Sequence, residues 1–312
     1  MSTTGVVPAR EQIEEVVTEA SLAPSIHDTQ PWHWFAGSGR LELFADPSLL
    51  LGAIDPDGRQ LLISCGAALY YARLALRARD LVPEVTVLPD GPGYADLDMD
   101  LAGREPLATI HVSAVLPPDA GERALVTAMR DRITGRRPLR PAPVQATVVE
   151  ELGQAAEAEG CWLAALDATD VDTMWLDTMD RHVAAGGTGG TGGTGMDAPG
   201  RSPTAPASPA APAEARRPTV VALGTDADRP VDRMAAGQAV ARILLTAAAH
   251  GAAARPVGHA EDIDAIRVRV RELLRSTGHV QMIILVGYPL PGGSPVEPAR
   301  RRPTSEILTI VD

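Results

Sequence analysis

The chain has 312 residues, a length that fits one large or two small domains and is enough to bury a hydrophobic core. Apolar residues make up 45% of it and charged residues 22%, and 40 acidic against 28 basic residues give a net charge of −12. These values argue against disorder of the whole chain. The negative charge also disfavours general binding to nucleic acid or to an anionic membrane.

All 28 basic residues are arginine, and the chain contains neither lysine nor asparagine. The absence of lysine excludes a Schiff base, a pyridoxal-phosphate aldimine and a Walker-type phosphate lysine. The N-terminus lacks a basic region followed by an apolar run, and no apolar stretch approaches the length of a membrane span. We therefore expect a cytoplasmic protein.

Hydrophobic periodicity predicts helices and strands that alternate along the chain. The predicted helices are Arg10 to Leu22, Gln60 to Ala78, Val148 to Glu159, Val171 to Val183, Arg233 to His250 and Glu261 to Ser276. The predicted strands are Leu41 to Phe44, Glu84 to Leu88, Leu107 to Val112, Trp162 to Leu166, Thr219 to Gly224 and Val280 to Tyr288. The pattern indicates a mixed α and β protein.

Residues 186–215 consist almost entirely of Gly, Pro, Ala, Thr and Ser, in runs such as GGTGGTGGTG and SPTAPASPAAPA. Such a segment has almost no apolar bulk to offset the entropy of ordering it, so we predict a disordered loop. A phosphate-binding loop is disfavoured because no helical pattern follows the glycines and no lysine is present.

Two helical segments resemble each other. The sequence CGAALYYARLALRARD (Cys65 to Asp80) matches AGQAVARILLTAAAHG (Ala236 to Gly251), with Gly66 aligned to Gly237. One interpretation is a duplicated unit whose two copies pack on each other. The alternative is a pair of unrelated alanine-rich helices.

Two arginine clusters stand out against the acidic background. They comprise Arg132, Arg136, Arg137 and Arg140, and Arg300, Arg301 and Arg302. The planar guanidinium binds phosphate through two hydrogen bonds, and the hydroxyl of Thr134 can add a further donor to the same oxygens. The clusters are candidate anion sites, with a solvated surface as the alternative for each.

The segment LAPSIHDTQPWHWF (residues 22–35) combines two prolines, several polar side chains and three of the ten aromatic residues in the chain, Trp32 and Trp34 among them. It could border a flat heteroaromatic ligand, or it could be an ordinary loop anchored by tryptophan. His27 and His33 have no metal-binding spacing, so we expect no metal site. No side chain stands out as a catalytic acid or base.

Taken together, these motifs resemble the nitroreductase superfamily of FMN enzymes, and within it the Acg-like branch, which carries two nitroreductase-type halves in one chain. PSIHDTQPW resembles the family loop P-S-x-x-N-x-Q-P-W beside the flavin, and RITGR resembles the phosphate motif R-x-[ST]-x-R. RRPTSEIL resembles the arginine-containing tail that completes the phosphate site, with Arg301 the better match and Arg302 the second. GAAARPVG resembles the loop after the long helix, whose backbone faces the flavin.

The resemblance implies an α+β nitroreductase-like fold in which two tandem halves, residues 1–120 and 121–312, form an internal pseudo-dimer. One FMN site would lie between the halves, and we expect a monomer. The implied cofactor-binding residues are Pro24, Ser25, Asp28 and Gln30 from the first half, and Arg132, Thr134, Arg136, Pro256, Gly258, Arg301 and Arg302 from the second.

The implied function is an FMN-dependent NAD(P)H oxidoreductase that reduces nitroaromatic, quinone or similar electron-poor acceptors by ping-pong hydride transfer. The alternatives are a protein that binds or sequesters FMN with little turnover, and a degenerate pseudoenzyme. Asp28 stands where the family has asparagine, and the loop at Pro256 to Gly258 is one residue shorter than the family pattern. An ionised Asp28 would only accept hydrogen bonds and would oppose negative charge on a reduced flavin, so we expect a lower flavin potential or weaker FMN binding.

Overall fold

The computed structural model describes residues 6–87, 105–132, 139–167, 218–257, 263–275, 277–291 and 300–311. The helix predicted at residues 171–183 and the loop predicted at 186–215 lie outside the described residues. The same holds for three residues that the family resemblance selects, namely Thr134, Arg136 and Gly258.

The described residues form helices and two β-sheets. The helices are α1 (Arg10–Ala20), α2 (Arg59–Arg77), α3 (Ala120–Asp131), α4 (Ala146–Glu157), α5 (Pro230–Ala249), α6 (Ile263–Leu273) and the short α7 (Thr304–Ile307). The strands are β1 (Trp32–Gly37), β2 (Arg40–Ala45), β3 (Leu81–Val87), β4 (Ala108–Val115), β5 (Trp162–Ala165), β6 (Thr219–Thr225), β7 (Ala253–Val257), β8 (His279–Gly287) and β9 (Leu308–Ile310).

The two sheets have the same topology. The first has the strand order β3-β4-β2-β1-β9 and the second has the order β7-β8-β6-β5. The three antiparallel pairings β1/β2, β2/β4 and β3/β4 recur as β5/β6, β6/β8 and β7/β8. A long helix, α2 or α5, follows the equivalent strand in each unit. The α+β fold is therefore built from two similar units.

The two long helices α2 and α5 pack against each other at a close crossing. A Cβ atom on Gly66 would overlap the carbonyl oxygen of Met234, and one on Gly237 would overlap the carbonyl oxygen of Ile63. These contacts are reciprocal, as in an isologous interface between two subunits. The repeat found in the sequence aligns these same two glycines, and the structure brings them face to face.

The end of the chain returns to the first sheet. Strand β9 pairs in parallel with β1, with Trp34 opposite Leu308 and Ala36 opposite Ile310. Trp32 and Trp34 are fully buried in the core of the first unit, to which α5 contributes Met234, Ala241 and Leu245, and a separate cluster forms the core of the second unit. The first sheet is therefore completed by residues from the far end of the sequence, which brings the arginine-rich tail to the first unit.

Five of the helices and strands named above were not predicted from the sequence: β1, α3, β7, the short α7 and β9. The segment that resembles the family loop at Pro256 forms strand β7, in which Pro256 lies opposite Ile284. In the part of the chain that the structure describes, no helix combines the length and the apolar character that a membrane crossing requires.

Candidate functional site

The connection between α1 and β1 is a compact polar loop held by two serines. The Ser25 hydroxyl accepts a hydrogen bond from the Gln30 backbone amide at 3.0 Å. The Ser64 hydroxyl on α2 accepts one from the Ile26 backbone amide at 3.1 Å. His27, Asp28 and Gln30 all have positive φ angles, between 47° and 55°. Non-glycine residues adopt this region at a cost of about 1 kcal/mol or more each, so their neighbours must hold them there.

Gln30 fastens this loop to the C-terminal tail. Its amide nitrogen donates to the Arg300 carbonyl at 3.1 Å, and its amide oxygen accepts from the Arg302 backbone amide at 2.9 Å. The Arg302 guanidinium donates to the Gln30 carbonyl at 3.1 Å. Because Gln30 is buried, these bonds are shielded from water, and they fix the tail against the loop.

Two guanidinium groups converge beside the start of the loop. Arg132 Nη2 and Arg301 Nη2 donate to the same Leu22 carbonyl, at 3.2 and 3.4 Å, and Arg301 Nη1 donates to the Ala23 carbonyl at 3.3 Å. Arg132 Nε donates to the hydroxyl of Tyr71 at 2.7 Å, and its guanidinium lies over that ring. Arg132 and Arg301, which lie far apart in the sequence, thus place two positive charges side by side.

Burial and the neighbouring charges both shift the pKa of the Arg301 guanidinium. Burial lowers the pKa of the Arg301 guanidinium, the Asp28 carboxylate raises it, and the neighbouring Arg132 lowers it again. The Asp28 carboxylate lies 3.9 Å from Arg301 Nη1 and is 53% exposed, so it is a weak counter-charge. Two arginine forks arranged in this way can bind a dianion such as a phosphate group.

Arg302 takes a different part in the cluster. Its guanidinium lies 3.5 Å from the Asp46 carboxylate and 3.9 Å from the Glu306 carboxylate. Its side chain therefore faces acidic partners, whereas Arg301 faces the convergence with Arg132. Of the two tail arginines that the sequence selects, Arg301 has the geometry that suits an anion.

The structure brings together seven of the residues that the sequence selects. They are Pro24, Ser25, Asp28, Gln30, Arg132, Arg301 and Arg302. Pro256 lies in β7, which among the described strands is an edge of the second sheet. Sequence reasoning missed Tyr71, Ser64 and the carbonyl of Leu22. Tyr71 could have been suspected, because two adjacent tyrosines interrupt an alanine-rich helix in a chain with only four.

A second buried polar cluster ties the two units together. The Arg59 guanidinium at the start of α2 donates to the Gln281 amide oxygen and to the Asp228 carboxylate. Gln281 in turn donates to the Thr225 hydroxyl at 2.7 Å, and Arg233 donates to Asp228 at 3.4 Å. Burial lowers the pKa of the Arg59 guanidinium. Burial raises the pKa of the Asp228 carboxyl, but the charge of Arg59 and further partners outweigh it, so that this pKa lies below its ordinary value. We interpret this cluster as structural, because its carboxylate, amide and hydroxyl groups bind one another and both Nη atoms of Arg59; among the described residues, Arg59 Nε has no hydrogen-bond partner.

Across the described ranges, no group of three or more His, Cys, Asp or Glu side chains is arranged to hold a metal ion. Cys65 and Cys161 are free and buried. Burial raises the pKa of both thiols, that of Cys161 to about 12, so neither is a thiolate at neutral pH.

Comparisons with known proteins agree with this architecture. No protein-family model matches the chain. A Mycobacterium tuberculosis (strain H37Rv) protein named "Putative NAD(P)H nitroreductase" is 32% identical over 327 residues, covering 96% of this chain and 92% of that protein. The protein of the same organism named "Putative NAD(P)H nitroreductase acg" is 38% identical over 78 residues, which is 25% of this chain and 24% of that protein.

One solved structure has the same fold. The crystal structure of a "putative nitroreductase" from Anabaena variabilis superposes with a TM-score of 0.53 and 10% sequence identity. The match covers 90% of this chain and 88% of that one. The likeness therefore extends over both units rather than over one of them.

Proposed function

The chain belongs to the NAD(P)H nitroreductase family, and from this we propose that it is an FMN-dependent oxidoreductase. It would use NAD(P)H to reduce nitroaromatic, quinone or similar electron-poor acceptors. When bound, FMN would supply the redox chemistry of a ping-pong cycle between NAD(P)H and the acceptor. The protein supplies the binding site and the orientation of the ring.

The observation that carries this proposal is the convergence of Arg132 and Arg301 on the Leu22 carbonyl. A phosphate dianion placed between these guanidiniums would accept charge-assisted hydrogen bonds from both and relieve their mutual repulsion. The residues present therefore fit the phosphate end of FMN. Thr134 and Arg136, which follow Arg132 in the motif, would add donors to the same group.

The remaining residues would orient the flavin ring. Ser25 and Gln30 stabilise the shape of the loop through the bonds described above, and Pro24 and Asp28 would border the ring from the same loop. The backbone of Pro256 and Gly258 is our candidate for the second unit's contact with the ring. We assign no side chain as a proton donor or acceptor in the reaction.

The proposal includes one site per chain, built from a first half at residues 1–120 and a second at 121–312, in a monomeric protein. The duplicated sheets and the reciprocal helix crossing support this arrangement, because one chain then supplies what two subunits would otherwise share.

The first test is the visible absorption spectrum of the freshly purified protein, recorded without oxygen before and after addition of NADPH. A flavin spectrum that bleaches supports the oxidoreductase. A flavin spectrum that neither NADPH nor NADH bleaches, in a protein that a stronger reductant still bleaches, would instead support sequestration of FMN. A colourless protein that also fails to take up added FMN would overturn both functions.

Replacement of Arg301 tests the phosphate site. Loss of one charge-assisted interaction costs about 1.5–3 kcal/mol, so Arg301→Gln should weaken FMN binding roughly 10- to 100-fold. The matched control is Arg300→Gln, because the exposed side chain of Arg300 carries the same charge one residue away. FMN affinity is measured by titration of the apoprotein with flavin fluorescence as the signal. Equal affinities for the two variants would contradict the assignment of Arg301.

A further inference from the structure

The repeat gives one part of the arginine site, the chain just after α1, an equivalent position in the other unit. Helix α1 packs against α2 and ends at Ala20, whereas α4 packs against α5 and ends at Glu157. Two residues beyond these ends lie Leu22 and Glu159, respectively. The Leu22 carbonyl is the acceptor on which the two guanidiniums of the proposed phosphate site converge. Glu159 holds the corresponding place beside α5.

Two guanidiniums also converge on Glu159, but here they bind its carboxylate. Arg73 Nη1 donates to Glu159 Oε2 at 2.6 Å, and Arg242 Nη1 donates to Oε1 at 2.9 Å. Arg73 also donates to the Gln238 side chain at 2.7 Å. Arg242 occupies the position on α5 that aligns with Tyr71 on α2 when the two crossing glycines are matched. Tyr71, which accepts from Arg132, and Arg242, which donates to Glu159, therefore occupy equivalent positions, whereas Arg73 aligns with Leu244.

The other parts of the first site have no counterpart at Glu159. The loop between α1 and β1 spans residues 21–31, whereas the connection between α4 and β5 spans only 158–161. Gly160, with φ at 73°, closes that connection, and the Cys161 amide returns to the Ala156 carbonyl at 3.0 Å. Among the described strands, β5 forms an edge of its sheet, while the equivalent β1 is covered by β9. Within the described part of the chain, this unit therefore has no polar loop or arginine tail beside its arginines.

We propose that Arg73 and Arg242 form an anion site at the place in the second unit that corresponds to Leu22 in the first, and that the Glu159 carboxylate fills it in place of a phosphate group. The comparison rests on the proposed function, in which the first site binds the phosphate of FMN. As a consequence, the chain binds a single FMN, and the second arginine pair is neutralised by a residue of the chain itself.

The exposure of these side chains makes the filled site testable. The Glu159 side chain is only 4% exposed, whereas Arg73 and Arg242 are 31% and 32% exposed. Removal of the carboxylate leaves two neighbouring guanidiniums that a small anion can reach from solvent. Inorganic phosphate has the charge and the oxygen atoms to replace the missing carboxylate.

The test is the thermal stability of Glu159→Ala in chloride and in inorganic phosphate at matched ionic strength. The loss of the buried partner of two arginines should lower the midpoint of unfolding in chloride by roughly 5–10 °C. Millimolar phosphate should recover about half of that loss, because a ligand that binds only the folded state stabilises it. The parent protein gives the baseline for any phosphate bound at the first site.

The control variant is Glu157→Ala, which removes an exposed carboxylate two residues earlier. It should respond to phosphate as the parent does. If Glu159→Ala does not fold, Glu159→Gln keeps the side-chain volume while removing the charge, and it too should be stabilised by phosphate more than the parent is. The proposal is overturned if the midpoint of unfolding rises from chloride to phosphate by no more in the Glu159 variants that fold than it does in the parent and in Glu157→Ala. Because the measurement involves no flavin, a protein that fails to bind FMN is a separate outcome.

Discussion

Asp28 is the residue at which the loop departs from the family pattern, and its position suggests a direct effect on cofactor binding. Its carboxylate lies 3.9 Å from Arg301, the arginine proposed to hold phosphate. A negative charge at this point competes with the phosphate for the Arg301 guanidinium, and it also repels the phosphate. The family asparagine would make no such charge interaction, and it also tolerates the positive φ of 55° found here.

We therefore expect Asp28→Asn to tighten FMN binding about 3- to 10-fold, since the charge is largely exposed and is worth about 1 kcal/mol. The gain should shrink as salt is added, because salt screens exposed charges. The flavin midpoint potential should rise for the same electrostatic reason. Glu306→Gln is the control, as it removes an exposed carboxylate 3.9 Å from Arg302. Equal FMN affinity of Asp28→Asn and the parent at low salt would refute the prediction.

At the scale of elements, periodicity located the long helices and most of the strands, because each buries an extended apolar face. It missed α3, although the sequence carries a capping signal there. The Asp119 carboxylate accepts from the Glu122 amide at 2.8 Å, and the Glu122 side chain accepts from the Asp119 amide at 2.9 Å. The element could have been found from these two residues, three positions apart.

Strand β9 illustrates what sequence could not reveal. It has only three residues and forms because β1, far away in the sequence, offers a free edge. The convergence of Arg132 and Arg301 is similar, because its acceptor is a backbone carbonyl that any residue type could supply. The motifs in the sequence identified which arginines matter. Only the fold showed what they contact and that Arg302 faces acidic groups.

The contact that joins β9 to β1 should depend on pH. His33 Nε2 lies 2.9 Å from the Thr309 hydroxyl. Burial lowers the pKa of His33, Arg302 lowers it further, and Asp46 raises it. Between this lowered value and the ordinary value of about 6.5, the unfolded chain binds more protons than the folded chain. Acidification through that window therefore reduces the free energy of unfolding, and the contribution is constant at higher pH.

The expected result is that the parent loses more stability between about pH 7.5 and about pH 5.5 than His33→Gln does. Glutamine can still bond to the Thr309 hydroxyl but does not titrate, so the difference isolates the imidazole. His111→Gln, on the exposed face of β4, is the control and should retain the pH response of the parent. Urea unfolding at the two pH values measures the effect. Identical losses for the parent and His33→Gln would exclude it.

At the scale of the whole molecule, the two units share a topology but differ at their potential anion sites. One unit has the long polar loop and the arginine tail, and the other has a short turn and an internal carboxylate. A symmetric dimer of separate chains could not make this distinction, because identical sequences produce identical sites. When the two halves are fused in one chain, their sequences can differ. One site can then carry the polar loop and the arginine tail while the other is occupied by a carboxylate of the chain itself.

This arrangement depends on the crossing of α2 and α5. Substitution of two glycines by alanine, one at the crossing and one away from it, tests how close that crossing is. Gly66→Ala and Gly153→Ala both replace a glycine in the interior of a helix, and both gain about 0.5–1 kcal/mol from helix propensity and reduced chain entropy. A Cβ at Gly153 meets no atom within 4 Å, whereas one at Gly66 overlaps the Met234 carbonyl and lies 3.0 Å from the Gly237 Cα. Backbone atoms of a buried helix cannot move aside as a flexible side chain can.

Gly153→Ala should therefore stabilise the protein, whereas Gly66→Ala should destabilise it by about 1–3 kcal/mol, since overpacking forces the helices apart. Gly66→Ala should also weaken FMN binding, because Tyr71 on α2 positions Arg132, which follows α3, and α3 packs against both α2 and α5. Denaturant unfolding and FMN titration of the two variants provide both readouts. A Gly66→Ala protein as stable as Gly153→Ala would mean that the helices do not cross as closely as described. Unchanged FMN affinity in a destabilised Gly66→Ala protein would instead mean that the site does not depend on the packing of the two units.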